Sequence, residues 1–104
     1  MIYAEFFTRQ EKLYGFKISG HAGYADKGED IVCASVSSAV QLVANTITEV
    51  LKIKATVKVL SDKIQLSIPH ENDFAQIILE GLKLHITFLA EDFEGTIKIT
   101  TSEV

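Results

Sequence analysis

Residues 13–37 read Leu13-Tyr14-Gly15-Phe16-Lys17-Ile18-Ser19-Gly20-His21-Ala22-Gly23-Tyr24-Ala25-Asp26-Lys27-Gly28-Glu29-Asp30-Ile31-Val32-Cys33-Ala34-Ser35-Val36-Ser37. The stretch holds two periodicities and a break. Residues 13–19 alternate, with Leu13, Gly15, Lys17 and Ser19 set against Tyr14, Phe16 and Ile18, as in a strand. Gly20, Gly23 and Gly28 punctuate residues 20–30, which read as a loop. From Ile31 the period changes. Val36, Val40, Val43, Ile47 and Val50 recur at helical steps, which predicts a helix from Ile31 to Lys52. Gln41, Asn45, Thr48 and Glu49 take the remaining faces. Asp30 is placed to cap this helix, because its carboxylate can accept from free first-turn amides.

Outward from this stretch the same rules apply. Residues 2–8 read as a strand, with Ile2, Ala4 and Phe6 on one face and Tyr3, Glu5 and Phe7 on the other. The short polar link Arg9–Lys12 predicts a hairpin. Residues 55–60 and 63–68 form a second hairpin around Ser61-Asp62, and Pro69 stops it. Asn72 or Asp73 can cap a second helix running to about Leu89. Gln76 follows Asp73 at the spacing of a capping box. On that helix His85 falls in step with Phe74, Ile78, Gly81 and Phe88, so it is expected on the core side. Residues 95–101 close the chain as a strand, with Ile97 and Ile99 facing one way. The order ββαββαβ predicts an α+β two-layer sandwich, a mostly antiparallel sheet with two helices on one face. Tyr3, Phe7 and Tyr14 on the other face suggest cover by a second subunit.

The chain of 104 residues is expected to be a single domain, residues 1–104. Its 14 acidic residues exceed its 10 basic ones, a formal charge of −4. That argues against a broad grip on nucleic-acid phosphates, which needs a clustered basic stripe. The apolar fraction of 47% is that of a globular protein. No apolar run suggests a membrane span. Met1 to Arg9 carries Glu5 and lacks a basic leader before an apolar stretch, so the cytoplasm is the expected location.

Chemistry concentrates in the loop and the helix start. Cys33, the sole cysteine, falls in the first turn of the predicted helix. There the partial positive charge and free amides favour a thiolate and could hold an oxyanion. The plainer reading of a lone cysteine is a small buried apolar residue. His21 begins the loop that ends near Cys33. A chain leaving a sheet and returning as a packed helix can bring the two together as base and nucleophile. Otherwise His21 is a solvated loop residue. Asp30 and Asp26 are candidates to orient the imidazole, beside their roles as cap and solvated loop residue. Ser37, four residues after Cys33, shares its helix face and borders the site or simply bonds the preceding turn. His70 reads as solvated. Neither His70 nor His85 joins Cys33 in a metal-ligand spacing, so no metal and no cofactor is expected. The glycines lack the ending of a phosphate-binding loop.

Gly20-His21-Ala22, then Gly28-Glu29-Asp30-Ile31-Val32-Cys33-Ala34-Ser35-Val36-Ser37, resembles the signature of the bacterial ribosomal-processing cysteine proteases. Chain length and element order fit as well. The resemblance implies an endopeptidase that removes a short N-terminal extension from large-subunit ribosomal protein number twenty-seven. The cut follows a Phe-Phe pair and precedes a small residue. It further implies Cys33 as nucleophile and His21 as general base, with Gly20, Asp30 and Ser37 in support, and a homodimer. Ala22, Gly23, Tyr24 and Gly28 belong to a loop that could close over a bound peptide. Phenylalanine side chains would need an apolar groove. The alternative is a non-enzymic, dimeric, translation-associated binding module in which the motif serves loop geometry and capping. Thiol redox sensing ranks last, since one cysteine leaves no resolving thiol in the chain.

Overall fold

The computed structural model describes residues 1–20 and 31–104. Strands β1 (Ile2–Arg9) and β2 (Lys12–Gly20) form the first hairpin. Gln10 and Glu11 both take positive φ, 52° and 68°. That is the backbone of a two-residue turn whose twist matches the flanking strands. Helix α1 (Ile31–Asn45) follows, continued by a π-helical turn over Thr46–Val50. Strands β3 (Thr56–Leu60) and β4 (Lys63–Ser67) make the second hairpin. Helix α2 (Asp73–Asp92) and strand β5 (Ile97–Glu103) complete the chain.

The sheet order is β3-β4-β2-β1-β5. Three pairings are antiparallel and β1–β5 is parallel. This is the expected two-layer α+β sandwich. Ile2, Ala4, Phe6, Phe16, Ile18 and Leu66 of the sheet share one core with the buried stripes of both helices. Those stripes are Val32, Val36, Val40 and Val43 on α1, and Ala75, Leu79, Leu82 and Ile86 on α2. Each fully buried Val, Leu, Ile or Phe among them contributes about 1.5–3 kcal/mol.

Several expectations need correction. Register passes from Phe7↔Gly15 to Thr8↔Leu13, leaving Tyr14 as the extra residue of a bulge. The bulge breaks the alternation, so Leu13 and Tyr14 are both buried. Arg9 covers the Tyr14 ring, its guanidinium carbon 4.3 Å from the centroid. The outer sheet face therefore loses one of its three expected aromatics. It is mainly polar: Glu5 sits at its centre, 3.5 Å from Lys17 Nζ and accepting from the Ser102 hydroxyl.

The first helix does not stay α-helical to Lys52. Thr46 and Thr48 turn their hydroxyls back onto Leu42 O and Ala44 O, at 2.7 and 2.9 Å. Leu51 N–H then reaches Thr46 O, a five-residue step. The wider turn rotates Val50 out of the stripe, and it is exposed. On α2 the cap is Asn72, whose Oδ1 accepts from Ala75 N–H at 3.0 Å. Gln76 forms no capping box. Its amide instead clamps the Leu13 backbone, accepting from N–H at 2.8 Å and donating to C=O at 3.0 Å. His85 is exposed, not core-side. The helix carries two apolar stripes one residue apart, and the one at 75, 79, 82 and 86 packs inward.

The segment Ile31–Val50 has a mean hydropathy of 1.5 and is long enough to cross a membrane. Its buried valines pack into the core, and its other side carries Gln41, Asn45 and Glu49.

Candidate active site

Cys33 is the third residue of α1, half-buried and packed against the core. The valines either side of it in the stripe, Val32 and Val36, anchor this turn. The helix dipole adds positive potential where the sulfur sits.

One helical step further, Ser37 borders the same groove, followed by Gln41 and Thr48. The expected back-bond in this turn comes from a neighbour, Ser35 Oγ to Ile31 O at 2.7 Å. The groove, of about 770 Å³, runs between α1 and the β3–β4 hairpin. Val57 and Val59 pair with Leu66 and Ile64, so they project to the helix side of the sheet. β3 is an edge strand, and both valines remain exposed along one wall. Ile18 and Ile64 form apolar floor, while Glu49 and Asp62 add carboxylates. Sequence reading missed Val57 and Val59. Their signal was an alternating apolar strand too short of partners to be central.

Gly20 lines the groove with Cys33. It takes φ +84°, and a Cβ there would lie 2.4 Å from Met1 O. Only glycine fits this approach. The two ends of the sequence motif that the structure describes, Gly20 and Cys33, thus meet on one groove. His21, Ala22, Gly23, Tyr24, Asp26, Gly28 and Asp30 lie outside the described residues. The two described histidines do not line this groove: His70 is exposed in the turn before α2, and His85 lines a separate groove between the helices. Among the described residues no three His, Cys, Asp or Glu side chains cluster as metal ligands.

Such a groove can seat an extended peptide with its apolar side chains on the valine wall and its backbone passing a helix-terminal thiol. Comparisons with known proteins bear on that chemistry. The model of the family described as cysteine protease Prp matches residues 1–98. A ribosomal processing cysteine protease Prp of Bacillus subtilis (strain 168) is 24% identical over 102 residues, covering 91% of each chain. An essential ribosomal processing protease Prp from S. aureus, solved with a covalently linked product peptide, has a TM-score of 0.90 at 24% identity. That match covers 98% of this chain and 100% of the other. SMU.848 from Streptococcus mutans gives 0.83 at 24% identity, with 100% and 96% covered.

Proposed function

Given that the chain belongs to the cysteine protease Prp family, we propose that Cys33 is its nucleophile and His21 its general base. The chain is a hydrolase of the cysteine protease class, in a family whose curated relative is a ribosomal processing enzyme. The binding-module alternative falls with that assignment. The proposed substrate is the N-terminal extension of large-subunit ribosomal protein number twenty-seven, cut after a Phe-Phe pair.

In this reading His21 takes the Cys33 proton, and the thiolate adds to the scissile carbonyl carbon. The carbonyl electrons move to oxygen, and the positive end of the α1 dipole stabilises that oxyanion. The C–N bond breaks, and the leaving amine takes the proton from His21. Water then attacks the thioester, giving its proton to His21, and releases the acid and the thiol. Thiol and water suffice, so no cofactor or metal enters. Gly20, Asp30 and Ser37 are the supporting residues in this reading. Ala22, Gly23, Tyr24 and Gly28 are the residues this reading assigns to substrate contact. The domain acts as a homodimer in the cytoplasm and takes a protein substrate, with no direct nucleic-acid contact.

One observation carries the reading: a first-turn cysteine opens on an apolar groove shared with Gly20. Ile18, Val57, Val59 and Ile64 suit aromatic side chains. Glu49 and Asp62 suit the basic character of a ribosomal tail. The test is cleavage of a Phe-Phe-Ala-type peptide and of the full-length substrate, read by mass spectrometry. Wild type should cut once, after the second Phe. Cys33→Ala and His21→Ala should lose more than about 1,000-fold in kcat, a magnitude typical of an essential nucleophile or base, while melting as wild type does. Cleavage retained in Cys33→Ala would sink the reading.

A further inference from the structure

The groove that holds Cys33 is long, and its far end carries a charge. Ser37, Gln41, Asn45 and Glu49 line it at four-residue steps. On a regular α-helix such a series drifts by about 40° around the axis at each step. Here α1 gives way to the π-helical turn Thr46–Val50, whose wider turn takes back part of the drift. The same turn that moves Val50 out of the core stripe keeps Glu49 on the groove. Residues 51–55 link it to the start of β3, and Ile53 N–H bonds back to Ile47 O at 3.0 Å. Glu49 therefore stands at the Val57 end of the valine wall. Cys33, a helix length away, stands at the end where Gly20 N–H meets Asp62 O.

From Cys33 to Glu49 the helical path is at most roughly 24 Å, at 1.5 Å per residue. An extended peptide advances about 3.3 Å per residue, so about seven residues span the interval. Val59 and Val57 lie along one side of that interval and Gln41 and Asn45 along the other. The two amides can donate to and accept from an extended backbone. The other charged lining residues, Asp62 and Lys63, belong to the Cys33 end, beside Leu60. Among the described residues no cation pairs with Glu49, which is exposed.

We propose that Glu49 is a specificity-determining residue, which takes an ammonium group carried about seven residues before the scissile bond. The inference rests on the peptide chemistry proposed above and adds a direction and a distance to it. The Phe-Phe pair immediately precedes the cut and needs the apolar wall. That wall lies between Cys33 and Glu49, so the part of the substrate before the cut runs along it toward Glu49. The ammonium has two possible sources. One is a lysine side chain at that position, and the other is the α-amine of a substrate whose chain begins there. Either way the groove measures off a length of chain, with the thiol at one end and the carboxylate at the other.

The experiment compares kcat/KM at low salt for N-acetylated Phe-Phe-Ala-type peptides. Each carries lysine or glutamine at one position, from three to nine residues before the cut. Wild type should favour lysine by about two- to fivefold around position seven, the scale of an exposed ion pair, and not at position three. The preference should fade as salt is added. Glu49→Gln should bring the ratio at seven down to that at three. Glu49→Lys should invert it, so that glutamate at seven becomes the better substrate. Asp62→Asn should leave the ratio at seven unchanged, because Asp62 stands at the Cys33 end. A second arm uses peptides that begin seven residues before the cut, with the amine free or acetylated. An advantage of the free amine that Glu49→Gln removes identifies the chain start as a source. Cleavage of every peptide with no position-dependent ratio, or with one that Glu49→Gln leaves intact, overturns this role and leaves the protease reading standing. No cleavage of the peptides or of the full-length substrate by wild type overturns both.

Discussion

Gly20 donates its backbone N–H to the carbonyl oxygen of Asp62 at 3.1 Å. The bond joins the end of β2, where the sequence motif starts, to the turn that borders the groove. Ser19 pairs with Lys63 immediately before it, so the bond extends the β2–β4 ladder by one step. The groove's polar end and the motif's first residue are held in fixed relation. The backbone achieves this at a φ that side chains resist.

Gly20→Ala should therefore be costly. The substitution faces both the positive φ and the Met1 carbonyl oxygen, and the chain start must shift to admit it. A loss of about 2–4 kcal/mol is expected, combining the left-handed penalty with the displacement. Thermal unfolding should show a drop of several degrees or more. Cleavage should fall further than the folded fraction does, because His21 is the next residue. A melting curve and a specific activity equal to wild type would contradict this account.

Gln76 separates stability from chemistry. Its side chain satisfies both backbone groups of Leu13 beside the bulge. Gln76→Leu removes both bonds and leaves two part-buried backbone groups seeking water. Urea unfolding should register a loss of about 1–3 kcal/mol. Peptide turnover per folded molecule should be unchanged, since Gln76 does not line the Cys33 groove.

Val59 tests the groove wall from the other direction. It is 69% exposed on an edge strand, so Val59→Lys should change stability by less than about 0.5 kcal/mol. An ammonium on the apolar wall should raise KM for an aromatic peptide several-fold while kcat changes little. An unchanged KM would place the peptide elsewhere on the protein.

The sequence made most of this architecture legible, because its periodicities are clean where one rule acts alone. β1 shows Ile2, Ala4 and Phe6 inward as alternation demands. The stripe of α1 through Ile47 follows the helical step. Misreadings arose where two rules competed. α2 offers two apolar stripes, and no single-helix argument tells which one meets a sheet. Phe74 and Phe88 supply as much hydrophobicity as the stripe that packs, so His85 was assigned to the wrong side. Leu13 defeated alternation because a bulge leaves no mark in composition. Gln76 sat at capping distance, yet its target lay across the fold, out of reach of local rules. At the site, Cys33, Ser37 and Gly20 were legible from the motif. Val57 and Val59 were not, because a groove wall depends on which strand lies at the edge.

The parallel pairing of β1 with β5 has a consequence for how the chain comes to be folded. Of the five strands β1 is made first and its outer neighbour β5 last, with Ile2 beside Ile97 and Thr8 beside Glu103. Ile2 N–H bonds to Thr96 O and Val104 N–H to Thr8 O, at 2.8 Å each. During synthesis, at roughly 5–20 residues per second, the hairpin and both helices can assemble while β1 still has one bare flank. That flank offers unpaired backbone groups to any extended segment nearby. Only the arrival of residues 97–103 occupies it. Closure of the sheet along β1 thus waits for the strand that is made after the other four.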